Sequence, residues 1–76
     1  MSTTKPAPDP QLRNTVCRAL VNYPSHQARV IAKMQGFEMY YMMYDNVTIH
    51  PPQQLRKDPW NIFVHVNTDH IVTEAV

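Results

Sequence analysis

Residues 37–44 read Phe-Glu-Met-Tyr-Tyr-Met-Met-Tyr, the densest apolar and aromatic run in the chain, with seven of eight side chains able to leave water. Eight residues are far short of the roughly 20 that span a bilayer. They do match a strand buried on at least one face. The run therefore predicts the central strand of a small sheet, and the rest of the chain must cover it. At 76 residues there is one domain to do so, and a chain of that size buries only about 60 % of the surface its unfolded form exposes. Little core can be given over to a deep pocket. A lone Cys17 cannot close an internal disulfide, which fits a reducing compartment and leaves packing or a partner to supply stability.

The flanking segments divide at their prolines and at the one glycine. Residues 1–8, with Ser2, Thr3, Thr4, Pro6 and Pro8, have almost nothing to bury and read as a disordered tail ahead of a single domain, residues 9–76. Asp9-Pro10 is a helix start, a carboxylate able to cap free amides followed by a proline whose fixed φ suits the first helical position. Leu12, Val16, Ala19, Leu20 and Tyr23 then share one helical face, and Pro24 predicts a stop near Asn22. Ser25 can cap a second helix over about 26–35, with Ala28, Ile31 and Ala32 on its inner stripe, although Ala-Arg-Val-Ile-Ala also reads as a strand. Gly36 supplies the left-handed residue that closes such a helix, and Phe37 the apolar side chain that folds back on Ala32.

After residue 44, Asp45 and Asn46 predict a turn, and 47–50 a return strand ended by Pro51 and Pro52. A two-residue loop would set Tyr44 opposite Val47; a three-residue loop with Asn46 left-handed would set Met43 there. The longer loop is preferred. It gathers Phe37, Met39, Tyr41, Met43, Val47 and Ile49 on one face and leaves Glu38, Tyr40, Met42, Tyr44, Thr48 and His50 on the other. A polar linker with a helical turn near 53–56 leads to a strand over 60–66, where Ile62, Val64 and Val66 alternate with Phe63 and His65. A turn at 67–70 precedes a final edge strand, or a short helix capped by Thr68. The expected fold is α+β: two N-terminal helices packed on a small antiparallel sheet of three to four strands.

Catalysis is not expected. Cys17 sits within an amphipathic helix, where a cysteine serves as a small buried residue, and no histidine is paired with it by spacing. Asp9, Asp45, Asp58 and Asp69 are accounted for by a cap, turns and a proline, leaving Glu38 and Glu74 without an evident partnership, and one glycine cannot build a phosphate loop. Of the ligand-type residues His26, His50, His65, His70 and Cys17, only His65 and His70 are close in sequence. They could face each other across a hairpin, but the close ligand pairs of structural zinc are missing, so neither metal nor cofactor is expected.

Binding is the better reading. On so small a domain one sheet face packs on the helices and little chain remains for the other. That second face carries Tyr40, Met42 and Tyr44 beside His50, and tyrosine and methionine are favoured at protein interfaces. Leu55, Arg56 and Lys57 on the exposed loop, with Arg29 and Lys33 on the helix, would give it a positive rim toward an acidic partner. Trp60, Phe63 and the linker folding over this face would instead make it a second small core. The alternative function is a winged-helix-like DNA binder, in which His26, Gln27, Arg29 and Lys33 project from helix 26–35 toward bases and phosphates. A net charge of +1 is low for nucleic-acid binding. No segment resembles a signal peptide or reaches 18 apolar residues, which predicts a cytoplasmic protein with no membrane partner.

In its size, single free cysteine, Ser/Thr-rich start and lack of catalytic residues, the whole chain resembles small phage-encoded proteins that bind host machinery such as bacterial RNA polymerase. The resemblance is one of overall character and assigns no residue a role. It implies a stoichiometric inhibitor or modulator of transcription that blocks another factor in the host cytoplasm.

Overall fold

The computed structural model describes residues 6–76. In chain order these are α1 (Pro10–Leu20), α2 (Ser25–Met34), β1 (Glu38–Tyr44), β2 (Val47–Thr48), α3 (Gln53–Arg56), β3 (Asn61–Val66) and β4 (Val72–Ala75). The fold is α+β, with both longer helices ahead of the sheet, as the sequence predicts. The strand order is β2-β1-β3-β4. Its central pair, β1 with β3, runs parallel, so the sheet is mixed rather than antiparallel throughout. The reason lies in the linker: β2 and α3 intervene between β1 and β3, a connection long enough to carry the chain back to its starting end.

Local chemistry builds the helices. The Asp9 carboxylate accepts from the Gln11 amide at 2.9 Å and Pro10 opens α1. The helix ends at Leu20, two residues earlier than expected, because Asn22 takes a left-handed conformation (φ 75°) that turns its amide to the Val72 carbonyl. Its buried residues are Val16, Cys17 and Leu20, while Leu12 and Tyr23 stay exposed. Tyr23 lies beyond the helix, in a loop whose backbone pairs with β4. Ser25 does not cap α2. Pro24 is the N-cap, Ser25 is buried within the first turn, and its amide donates to the His70 carbonyl. The far end follows the expectation: Gly36 has φ 88°, its amide bonds the Lys33 carbonyl, and the Phe37 amide reaches Ala32. That pair of bonds is the Schellman closure, and Phe37 is buried beside Ala32.

The core lies between the two helices and one sheet face, with Leu20, Ala28, Ala32, Phe37, Met39, Ile62, Val64, Val66 and Val72 at its centre. β3 is buried on both sides, Ile62, Val64 and Val66 beneath the helices and Phe63 opposite. Arg13, a surface charge by its spacing, is instead a tie: its guanidinium donates to the carbonyls of Pro59 (3.0 Å) and Asn61 (2.8 Å), holding α1 against the start of β3. The turn at 67–70 forms as expected, with the Asn67 side chain accepting from the amides of Asp69 and Ile71. The strand alternative at its end is the one realised, and no helix follows Thr68.

Of the expected tail, residues 1–5 lie outside the described residues. Pro6 to Pro8 do not hang free: Pro8 is buried, and the Pro6 carbonyl accepts from the Trp60 indole at 2.7 Å. No described helix is long and apolar enough to cross a membrane.

Candidate functional site

Two departures from strict alternation decide what β1 presents. The first is the hairpin. Asp45 (φ 54°) and Asn46 (φ 63°) are both left-handed, and Tyr44 faces Val47 with Met43 facing Thr48. This is a two-residue primed turn, whose twist suits the strands it joins, and it displaces the expected three-residue loop. The second is a bulge, with the β1–β3 register shifting between Tyr41 and Met43. One extra residue reverses the faces beyond it.

As a result, Tyr40, Met42 and Tyr44 do not share a face. Tyr44 turns to the helix side, edge-on to Tyr41 (4.9 Å, 71°) and stacked on His70 (5.2 Å, 21°). Tyr40 stacks on Phe63 on the opposite side (5.8 Å, 27°), where the Arg56 guanidinium lies 5.8 Å from the Phe63 ring and 3.3 Å from the Met42 sulfur. There the linker turn does fold over the sheet, and Phe63 is only 5 % exposed. Tyr40, Met42 and Tyr44 are each half-buried. Trp60 packs on Phe37 instead, at the other end of the sheet (5.0 Å).

The predicted cations separate in the same way. Arg56 belongs to the α3 side, and Lys57 is exposed just past it. Arg29 stands 5.7 Å over the Tyr41 ring on the helix side. Lys33 reaches Glu38 at 4.0 Å, a pair so exposed that it contributes little to stability. His26 and Gln27 are exposed on α2.

What these residues surround is a groove of about 480 Å³ wrapped around the outer edge of β1. Arg29 and Tyr41 border it on one side, Tyr40 and Leu55 on the other, and His50 and Pro52 close one end. The sequence places Leu55 on an exposed loop beside Arg56 and Lys57; the crossover brings it, half-buried, to the strand edge. A larger hollow of about 660 Å³ beside Trp60 is bordered by Ala7, next to the docked Pro6.

The remaining chemistry-bearing groups are dispersed. His65 pairs with Glu74 (Nδ1 to Oε2, 3.4 Å) and His70 with the Tyr44 ring, so the two imidazoles do not converge. Among the described residues no three of His, Cys, Asp and Glu gather as they would around a metal ion. Cys17 is buried, and burial pushes its thiol pKa up despite the nearby Arg13 charge. A thiol so placed is a poor nucleophile at neutral pH.

No family model, curated protein or solved structure matches the chain.

Proposed function

We propose that this chain is a non-catalytic regulator that works by binding another protein through the groove at the β1 edge. The observation that supports it is the meeting, at one strand edge, of a half-buried tyrosine pair, Tyr40 and Tyr41, with Leu55 and the Arg29 guanidinium. Tyrosine and arginine are the residue types that dominate binding energy at protein interfaces. Of the side chains the sequence nominates for partner binding and its rim, Arg29, Tyr40, His50 and Leu55 line this groove. The character the chain shares with phage-encoded regulators makes bacterial RNA polymerase the first partner to try, with occlusion of another factor as the mode of action.

Immobilised protein would be challenged with purified bacterial RNA polymerase and with bacterial lysate, in parallel with Leu55→Asp, Tyr40→Ala and a His26→Ala/Gln27→Ala double variant, each checked for folding by circular dichroism. Capture that is lost in Leu55→Asp and Tyr40→Ala but kept in the double variant supports the reading. Capture insensitive to the groove variants overturns it. A steeply salt-dependent gel shift abolished in the double variant would assign the chain to nucleic acid instead.

A further inference from the structure

Resting on the protein-binding reading above, we propose that the groove receives an extended segment of the partner, which adds as a fifth strand beside β1 with acidic side chains toward α2 and apolar ones toward α3.

The backbone supplies the first reason. In a parallel pair each bonded residue uses both its main-chain groups toward its neighbour, and alternate residues point away. The Glu38 amide bonds the Trp60 carbonyl, so Glu38 and Tyr40 face β3 while Met39 and Tyr41 direct their N–H and C=O to the open edge. On that edge β2 pairs only with Met43 and Tyr44, and the Ile49 amide adds one bond to the Met42 carbonyl. The chain then reaches Pro51 and Pro52, which have no N–H to continue the ladder. Among the described residues nothing hydrogen-bonds the outward groups of Met39 and Tyr41. Four main-chain groups in strand geometry are a template for another strand.

The flanks specify what kind. Side chains of an added strand alternate between the two faces. On the α2 face they meet Arg29, which has no carboxylate within ion-pair distance among the described residues. On the α3 face they meet Leu55 and the Tyr40 ring. A second copy of the chain fits poorly: pairing two β1 edges antiparallel keeps both helix layers on one side of the joint sheet, so each Arg29 is directed toward its own counterpart. Like charges opposed in this way disfavour the dimer.

The probes are two capped hexapeptides, one alternating glutamate with valine and one alternating lysine with valine, titrated into isotope-labelled protein. The expected result is selective shifting and exchange protection of the Met39 and Tyr41 amides by the acidic peptide. Its affinity should exceed that of the basic peptide by about tenfold, an order that Arg29→Glu reverses. Tyr41→Pro removes one outward N–H and the ring, whereas Tyr41→Ala removes the ring alone, so Tyr41→Pro should bind the acidic peptide more weakly than Tyr41→Ala, and equal binding by the two would overturn the proposal. Shifts confined to α2 or α3, equal affinity for both peptides, or concentration-dependent self-association in place of peptide binding each overturn the proposal. If RNA polymerase capture depends on Leu55 yet persists in Tyr41→Pro, strand addition falls while protein binding stands; if neither variant matters, both fall.

Discussion

Cys17 shows how burial alone assigns a role. The same side chain in an exposed, electropositive setting would be a reactive thiolate, but here burial raises its pKa above the ordinary 9.0 and outweighs the opposing Arg13 charge. The unfolded chain therefore gives up the thiol proton first as pH rises. This group's contribution to stability is complete below the unfolded pKa and is lost as pH climbs through the raised folded value. The urea midpoint of the wild-type protein should fall more steeply than that of Cys17→Ala between neutral pH and about pH 10. Parallel midpoints in the two proteins would show that the thiol is not shielded. Arg13 carries the converse lesson. Its spacing on α1 marks it as solvent-facing, yet two carbonyls some 46 and 48 positions away take up its guanidinium, a use that no local pattern announces.

Elements closed by local hydrogen bonds are legible from the chain; those closed by distant ones are not. Asp9-Pro10 and Gly36-Phe37 announce the two helix boundaries because every partner lies within five residues. Gly36→Ala places a Cβ on a residue at φ 88° and is expected to cost about 1 kcal/mol, read as a lowered urea midpoint with unchanged slope. An unchanged midpoint would mean the helix end does not depend on that conformation. Ser25 misleads as a cap because the helix starts one residue earlier, on Pro24: the Ala28 amide that a capping Ser25 hydroxyl would have taken bonds the Pro24 carbonyl, and Ser25's own amide goes to the distant His70 carbonyl. The β1 bulge is equally silent. Strict alternation sets Tyr44 with Tyr40 and Met42, and only the register against β3 reveals the residue that turns Tyr44 to the helices. The short, charged edge that remains, with Glu38, Arg29 and Lys33 around it, is also how small sheets resist aggregation.

For the whole molecule, a single helix-sheet layer has little redundancy. Leu20 is fully buried at its centre, and Leu20→Ala should remove about 2–5 kcal/mol. A domain this small rarely holds more than about 3–5 kcal/mol, so the variant should be largely unfolded at room temperature by far-ultraviolet circular dichroism. A cooperative melt close to that of the wild type would show that the core extends beyond this layer. By itself the sequence determined the α+β class, the helix boundaries nearest their caps, the turn at 67–70, the place but not the length of the turn after β1, and the alternation that makes β3 a core strand, all of them consequences of period and local capping. Only the tertiary structure decided that β1 and β3 run parallel, that Tyr40, Met42 and Tyr44 part company, and that Leu55 and Arg29 meet across an open strand edge. Those outcomes turn on pairings between residues far apart in the chain, whose free energy depends on register and crossover path rather than on any one segment's composition.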